Sequence, residues 1–516
     1  IRVLKQEEPV NKQSNREQPR REHERPSRLE EFLSGSQEEH CVERRSRIED
    51  CKELLKTAWP LMLSTGLFSI TLFVDRLFLF QYSDAAAAAA MSAGTLFWSV
   101  TCLPAGICGY TSTFVAQYLG VGRVDRALHV VWQACLLALG LVPILVLLGL
   151  MSYRLFIAFG HQEELAKFEY EFFLGLVPGA CATILSSALV GLFAGSGRPI
   201  VLLYCDALAT LTNVVLDYGM IFGNLGFPKW GVAGAAAASS ISLSLKCVLL
   251  VAFAYWYFKA GRFGAWSVTS SVAPKLRQLL KWDFPLMRRL VRFGWPAGVS
   301  VVAEAWSFAI IMMIVGNLGE RPAAATTLAL GVNVLAFIPL IGLGIAVGVL
   351  VGKYLVQNQV HIAQRVVHAA LSIGILYSGI FAVLYGLFPE QVMGIYAIGN
   401  DPQRFESIKP DLKPLLIFIA GYCVFDSFQV IFSGVLKGAG DTHFVLLGHA
   451  IGGFGTVGLA VLGQRLFGWD GLFYWWGVIS VWVFVLAIIF TGRYLHGGWK
   501  TKRVIEPDLV SNEALF

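Results

Sequence analysis

Four of the acidic residues inside the long apolar stretches of this sequence could do chemistry there. They are Asp75, Asp217, Glu304 and Asp426. An ionised side chain in hydrocarbon costs about 2.5–3.5 kcal/mol on insertion scales, so each of these residues needs a cavity, a partner or a proton. A desolvated carboxyl group can take up a proton, and in its charged form it attracts a small ion or an organic cation. The residue types therefore predict that a small ion and a larger cation compete for the same carboxylates.

The elements that carry these residues are apolar runs long enough to cross a membrane. The chain has 516 residues, of which 56% are hydrophobic and 15% charged, and its mean hydropathy is +0.61. Soluble domains carry about a quarter charged residues, so a water-soluble enzyme and a nucleic-acid-binding protein are both disfavoured. Apolar runs able to cross roughly 30 Å of hydrocarbon as helices recur twelve times, at 55–81, 90–118, 127–152, 170–195, 200–223, 231–258, 290–318, 325–352, 366–388, 413–436, 443–467 and 471–493.

The polar segments divide the chain into five predicted parts. The first segment is rich in Glu, Arg, Gln and Ser, and it cannot bury enough apolar surface to fold. Lys and Arg concentrate in alternate connections, which places both termini in the cytoplasm. The parts are a disordered cytoplasmic tail (1–53), an N-lobe of six spans (54–258), a basic cytoplasmic linker (259–289), a C-lobe of six spans (290–496) and a cytoplasmic C-terminal tail (497–516).

The two lobes repeat one another in sequence. Two segments recur at an offset of 236 residues and a third at 243. Because each lobe has an even number of spans, the copies share one orientation, and a central cavity between two bundles of six is expected. The equivalent residues Pro60 and Pro296 are expected to kink their helices. The recurring segments are 58–60 with 294–296, 115–119 with 351–355, and 191–199 with 434–442.

Helical rise places two of the carboxyl groups in the outer half of the membrane. Asp75 lies 21 residues beyond Leu54, and Asp217 lies 18 beyond Pro199, both on spans that run outward. That corresponds to roughly 27–32 Å of rise, so this outer pair could meet at one depth. Asn213 precedes Asp217 by one turn on the same helix face. The same analysis leaves open that the outer pair merely reaches water at the outer surface.

The other two carboxyl groups are predicted to lie near the midplane. Glu304 lies 12 residues beyond Arg292, and Asp426 lies 12 beyond Pro414 on a span of opposite direction. Each is about 18 Å from its own starting face. In a core of about 30 Å they fall within roughly 6 Å of each other in depth. Tyr422 precedes Asp426 by one turn. A hydrogen bond from each member of this midplane pair to neighbouring backbone is the alternative.

Other polar residues of the spans are interpreted as structural. Asp206 lies near the inner end of its span and Asp441 lies in a Gly-rich loop, and both are taken as helix-end residues. Arg76 follows Asp75 directly, but adjacent side chains on a helix diverge by about 100 degrees and need not pair. The nine cysteines form no C-x-x-C pair, so neither disulfides nor a metal cage are expected.

In these residues the chain resembles the MATE family, the multidrug and toxic compound extrusion transporters. The resemblance runs through all twelve spans and leaves out the first tail. Its motifs are Pro60 followed fifteen residues later by Asp75, the segments 213–223 and 226–235, Glu304, and the segment 422–438. It implies that Asp75, Asn213 and Asp217 form a proton or sodium site in the N-lobe. It also implies that Glu304, Tyr422 and Asp426 hold the coupling cation in the C-lobe.

The function implied by the resemblance is secondary active multidrug efflux. Cationic amphipathic compounds would leave in exchange for Na⁺ or H⁺ as the two lobes rock around a central cavity. The protein is expected to be a monomer in the cytoplasmic membrane of a bacterium. Its expected partners are organic cations and the lipid bilayer. It needs no cofactor, binds no nucleic acid and holds no metal besides Na⁺ at the coupling residues.

Two other functions remain as alternatives. A flippase for lipid-linked saccharides, of related architecture, would favour basic residues in the cavity, whereas the intramembrane charges here are mainly acidic. A membrane-embedded enzyme would need a His, Asp or Glu cluster at metal spacing, or a Ser and His nucleophile pair. The sequence shows neither pattern, so the protein is not expected to be an enzyme.

Overall fold

The computed structural model describes residues 47–159, 161–259, 281–397, 402–507 and 509. Most of the predicted first tail and linker, and the end of the C-terminal tail, lie outside the described residues. Compact packing covers the unit Asp50–Phe516, and of the unit Ile1–Glu49 only residues 47–49 are described, as the start of the first helix. In the described parts of the chain every regular element is helical.

The N-lobe contains seven described helices. The predicted second span is two helices, which are separated at Tyr110. The helices are α1 (Arg47–Tyr82), α2 (Asp84–Gly109), α3 (Thr111–Gly120), α4 (Val124–Ala158), α5 (Glu163–Gly195), α6 (Ile200–Phe222) and α7 (Val232–Lys259).

The C-lobe also contains seven described helices. One of them, α11, was not predicted from the sequence. It begins at Pro389, a residue that cannot extend the preceding helix but is well suited to the first turn of a new one. The helices are α8 (Phe284–Gly316), α9 (Glu320–Val356), α10 (Val360–Leu387), α11 (Pro389–Ala397), α12 (Pro402–Ala439), α13 (Thr442–Phe467) and α14 (Leu472–His496).

Twelve helical segments of the described chain are long and apolar enough to cross a membrane, which confirms the predicted number. Most extend beyond the apolar runs; α1 begins at Arg47, and α4 has 35 residues. Hydropathy identifies only the residues that can lie in the hydrocarbon core of the membrane. The main-chain hydrogen bonds of the helix continue beyond them into polar residues at its ends. The predicted all-α fold of a multi-pass membrane protein is confirmed.

The sequence duplication is visible in the helix packing. Gly195 of α5 lies against Ser112 of α3, and Gly438 of α12 lies against Gly348 of α9. At both glycines a Cβ atom would collide with the carbonyl oxygen of the partner residue. Ser112 and Gly348 are related by the offset of 236, and Gly195 and Gly438 by the offset of 243. Equivalent residues therefore form the same close helix contact in both lobes.

The two lobes are joined at one end of the molecule. Helix α2 packs against α8, and α3 packs against α9. We call this the proximal end, because it carries the start of α1 and the end of α14, and the opposite end the distal end. Interlobe polar contacts there are Tyr110 Oη to the Lys437 carbonyl (2.6 Å), Gln357 Nε2 to the Gly120 carbonyl (3.1 Å), Lys353 Nζ to Glu53 Oε1 (3.0 Å) and Arg126 Nη1 to Asp283 Oδ2 (3.1 Å).

Residues 498–507, the C-terminal strap, pack onto the proximal end. Trp499, Val504 and Ile505 are buried, which explains why this part of the predicted tail is ordered against the helices. The Val504 N–H donates to Gln117 Oε1 of the N-lobe at 2.9 Å. The guanidinium of Arg289 in the C-lobe donates to the Val504 carbonyl at 2.8 Å. The strap therefore bonds to both lobes.

Candidate functional site

The structure brings the predicted N-lobe residues into one cluster. Asn213 and Asp217 are fully buried on one face of α6, and Asp75 approaches them from α1. With its amide oriented to satisfy both carboxyl groups, Asn213 Nδ2 donates to Asp75 Oδ1 at 2.9 Å and to Asp217 Oδ2 at 3.3 Å. Asn213 therefore bridges the two carboxyl groups, which lie within interaction range of each other. Two carboxyl groups this close in an apolar bundle favour a proton held between them.

A fourth side chain of this cluster was missed in the sequence. Ser239 Oγ, on α7, donates to Asp75 Oδ2 at 3.3 Å. The available signal was the group of serines in this span, which does not indicate which of them faces Asp75. Arg76 is exposed, whereas Asp75 is half-buried, in keeping with the predicted divergence of adjacent side chains. The cluster thus joins α1, α6 and α7.

The C-lobe residue Glu304 has two partners that were not predicted. Gln429 Nε2 of α12 donates to Glu304 Oε1 at 3.0 Å, and His449 Nε2 of α13 lies 3.5 Å from Glu304 Oε2. His449 is 2% exposed, and its Nδ1 donates to the Val445 carbonyl at 2.9 Å. Nε2 is therefore the ring nitrogen that faces Glu304. The Glu304 side chain keeps 30% of its surface exposed, so this site is accessible.

The remaining members of the predicted C-lobe site lie beside Glu304. Asp426 is buried on α12, and its carboxyl group lies within electrostatic range of Glu304. Tyr422 is buried one turn away, next to Asp426 and Tyr385. Lys437 lies further along α12, within electrostatic range of Glu304. Asp426 thus lies near Glu304, while Tyr422 lies next to Asp426 and Tyr385. A shared role of the three predicted residues stays a prediction.

Sequence signals for the missed partners did exist. Gln429 follows Asp426 by three residues, the spacing of one helix face. His449 is a histidine within an apolar span. Neither signal identifies Glu304 as the partner, because that depends on how α8, α12 and α13 are rotated against one another.

A further polar cluster corrects an interpretation made from the sequence. Asp206 is not a helix-end residue, since it lies nearly two turns inside α6. It accepts a hydrogen bond from Ser64 of α1 and forms an ion pair with Lys246 of α7. Asp441, by contrast, stands at the N-cap position of α13, where it pairs with Arg493 and Lys502.

The two prolines of the repeat lie at equivalent positions. Pro60 lies inside α1 and Pro296 inside α8. Both are buried, and the preceding residues, Trp59 and Trp295, are exposed in both lobes. A kink at each proline stays a prediction.

Comparisons with known proteins agree with this architecture. The MatE family model matches residues 60–219 and 296–459, one stretch in each lobe. The multidrug resistance protein NorM of Burkholderia vietnamiensis is 29% identical over 405 residues, which cover 77% of this chain and 83% of that protein. The multidrug resistance protein MdtK of Cronobacter sakazakii is 27% identical over 403 residues, with the same coverage of 77% and 83%.

Solved structures show the same fold. A MOP superfamily transporter from Pyrococcus furiosus superposes with a TM-score of 0.77 at 21% identity, covering 88% of this chain and 97% of that one. A multidrug resistance MATE family transporter in an outward-facing conformation gives a TM-score of 0.75 at 20% identity, with the same coverage of 88% and 97%. The family match in both lobes, together with the twelve duplicated helices, shows that this chain belongs to the MATE family.

Proposed function

We propose that this protein is a secondary active multidrug efflux antiporter. It exports cationic amphipathic compounds in exchange for Na⁺ or H⁺. The family membership supports transport, and the relatives named as multidrug resistance proteins support drugs as the cargo. The intramembrane carboxyl groups support cationic substrates, because a carboxylate in an apolar setting attracts a cation.

The observation that carries the proposal is the buried carboxyl pair of Asp75 and Asp217, which the Asn213 amide bridges. The pair holds one proton when it is shielded from water, and the loss of that proton leaves both carboxylates charged in an apolar bundle. The added charge then favours an incoming cation. A proton that arrives later restores the singly charged pair and displaces the cargo. Binding of the ion and binding of the drug are thus mutually exclusive at this cluster.

The Glu304 and Asp426 pair supplies a second coupling site in the C-lobe. Glu304 is partly exposed, whereas Gln429 and His449 hold its oxygens from neighbouring helices. Tyr422 lines the protected side of Asp426. An ion that binds here neutralises the two carboxylates, and its departure frees Glu304 for an organic cation.

The contacts at the proximal end support alternating access. With both termini in the cytoplasm, this conformation is closed to the cytoplasm by the interlobe contacts and the C-terminal strap. Rocking of the lobes then has to break the Lys353–Glu53 ion pair and the bonds of the strap before the cytoplasmic side opens. The proposed protein works as a monomer in a bacterial cytoplasmic membrane and uses no cofactor.

The saccharide flippase is less well supported than efflux. Such a cargo needs free basic side chains, yet Lys246 in the N-lobe is neutralised by Asp206. The main accessible intramembrane charge of the C-lobe is the carboxylate of Glu304.

The test is efflux of ethidium from proteoliposomes, with Na⁺ and pH gradients imposed separately. We expect one of the gradients to drive efflux. Asp75→Asn, Glu304→Gln and Asp426→Asn should each reduce the driven rate at least tenfold while the protein still inserts. Glu406→Gln, at an exposed site on α12, is the matched control and should keep the full rate.

Two outcomes would count against the proposal. If neither gradient drives efflux for a panel of organic cations, the protein is not an ion-coupled antiporter. If all three carboxyl variants keep the rate of the unaltered protein, the coupling site lies elsewhere in the chain.

A further inference from the structure

Polar side chains continue along α6 from the Asp75 and Asp217 cluster towards the proximal end. Asp206, Thr210, Asn213 and Asp217 follow one another at spacings of four, three and four residues. These spacings place all four on one face of the helix. Asp206 and Asp217 are separated by eleven residues, or roughly 16 Å of rise. In an apolar bundle, such a line of polar residues is costly unless each has a partner.

Each level of this line has partners on neighbouring helices. At the proximal level, Ser64 of α1 and Lys246 of α7 both contact the Asp206 carboxylate. At the middle level, the Thr71 and Thr210 hydroxyl groups lie 3.0 Å apart.

The distal level is the cluster already described, where Ser239 of α7 reaches Asp75 of α1. Helices α1 and α6 therefore both contribute polar groups at every level, and α7 contributes at the two ends. We call this set of side chains the N-lobe polar line.

We propose that the N-lobe polar line is a proton pathway, and that Asp206 is its proximal proton-accepting group. The inference rests on the proposed function, because it extends the proton exchange of the Asp75 and Asp217 pair. Direct transfer over roughly 16 Å is excluded by distance. The Thr71 and Thr210 hydroxyl pair divides that distance into two shorter steps, which bridging water can span.

The transfer can be written with its proton balance. The shared proton of Asp75 and Asp217 leaves that pair, which becomes fully ionised, and passes through hydroxyl groups and water to Asp206. The Asp206 carboxylate becomes a neutral acid, while Lys246 remains an ammonium group and loses its ion-pair partner. Asp206 then releases the proton to water at the proximal side, and the ion pair with Lys246 forms again. No other reactant is needed.

The position of the Asp206 and Lys246 pair suits this role. Their side chains keep 12% and 22% of their surface exposed, so both are buried enough to interact and open enough to exchange with water. Lys246 is the cation that faces Asp206 from α7, and Ser64 is the hydroxyl group that faces it from α1. A buried ion pair alone contributes little stability compared with an apolar pair of the same shape.

Charge-removing variants separate a pathway from a structural ion pair. We expect Asp206→Asn to reduce pH-driven ethidium efflux at least tenfold, with the equilibrium affinity for ethidium changed less than twofold. Lys246→Met alone leaves an unpaired buried carboxylate and should lower the yield of folded protein. In the double variant Asp206→Asn with Lys246→Met, the yield should return while pH-driven efflux stays low.

The double variant gives the decisive outcome. Efflux that recovers with the yield would show that the pair only holds α6 and α7 together, and would overturn the pathway. The conservative variant Asp206→Glu should keep pH-driven efflux, because it retains a group that binds a proton. Loss of efflux in Asp206→Glu, with normal yield and affinity, would also count against proton transfer.

The middle of the line is tested with valine, which removes a hydroxyl group and keeps the shape. Thr71→Val combined with Thr210→Val should slow pH-driven efflux at least tenfold and leave the yield unchanged. Thr65→Val is the matched control on α1, since the Thr65 hydroxyl bonds to the Leu61 carbonyl of its own helix at 2.9 Å. An unchanged rate in the Thr71 and Thr210 double variant would contradict the pathway.

The unaltered protein distinguishes this inference from the proposed function. If neither a pH gradient nor a Na⁺ gradient drives efflux, both are overturned. If only the Na⁺ gradient drives it, the pathway is overturned and the proposed function stands. If the unaltered protein shows pH-driven efflux and the Asp206 and threonine variants show it equally, only the pathway is overturned.

Discussion

Gln117 of the N-lobe and Gly438 of the C-lobe are joined by a hydrogen bond of 3.0 Å, from the side-chain amide to the main-chain carbonyl. The oxygen of the same amide accepts the N–H of Val504 in the C-terminal strap at 2.9 Å. One fully buried side chain thus connects both lobes and the strap. The close approach is possible because Gly352 and Gly438 have no side chains there; a Cβ at Gly352 would lie 3.0 Å from the Gly438 carbonyl oxygen.

Gln117→Leu should loosen the proximal end. The change leaves a buried carbonyl and a buried N–H without partners, at a cost of about 1–3 kcal/mol each. Hydrogen exchange measured by mass spectrometry should become faster in the C-terminal strap. Gln464→Leu, near the distal end of α13, is the control and should leave exchange of the strap unchanged. Equal protection of the strap in both variants would contradict the linking role of Gln117.

Arg289→Ala should release the C-terminal strap. Its guanidinium donates to the carbonyl oxygens of Val504 and Ile505 at 2.8 and 3.2 Å, and lies 3.4 Å from Glu506. We expect trypsin to cleave the strap several times faster in this variant. Arg288→Ala removes the same charge at an exposed neighbouring site and should leave the cleavage rate unchanged. Similar rates for both variants would mean that other contacts hold the strap.

Gly195→Ala and Gly438→Ala should both lower the thermal midpoint of the protein. In each lobe the added methyl group collides with a carbonyl oxygen of the neighbouring helix, and overpacking of this kind costs about 1–3 kcal/mol. Gly140→Ala and Gly421→Ala, where a Cβ meets nothing within 4 Å, are the helical controls. They should be neutral or slightly stabilising.

Gly195 and Gly438 are equivalent positions of the two lobes, so the prediction requires both substitutions to destabilise the protein. Destabilisation at only one of Gly195 and Gly438 would show that the duplicated segments have lost their structural equivalence. Destabilisation by the two control variants as well would point to helix flexibility, rather than close packing, as the role of these glycines.

His449→Phe should impair ion-coupled efflux. The phenyl ring fits beside Phe490, which already lies 4.9 Å from the histidine ring, but it provides no nitrogen for Glu304. We expect at least a tenfold lower driven rate in the ethidium assay. His443→Phe is the matched control, because His443 lies at the start of the same helix and packs edge-on against Trp295. An unchanged driven rate in His449→Phe would show that Glu304 does not need His449, and would leave Gln429 as its functional partner.

The periodicity and composition of the sequence were sufficient to predict the number and the order of the membrane-spanning helices. They also predicted that Asp75 and Asp217 share one depth, and Glu304 and Asp426 another; the structure brings the first pair together around Asn213. Depth follows from sequence because a helix rises by a constant distance per residue. The repeat offsets were equally accessible, and they correctly identified Gly195 and Gly438 as equivalent positions.

The lateral neighbours of these residues could be learned only from the tertiary structure. Ser239, Gln429, His449 and Lys246 became visible as partners only after the helices were packed. Helix rotation and crossing depend on the shapes of many side chains at once, and hydropathy along the chain does not record them. The burial of the C-terminal strap has the same origin, because its anchors Gln117 and Arg289 lie hundreds of residues away in the sequence.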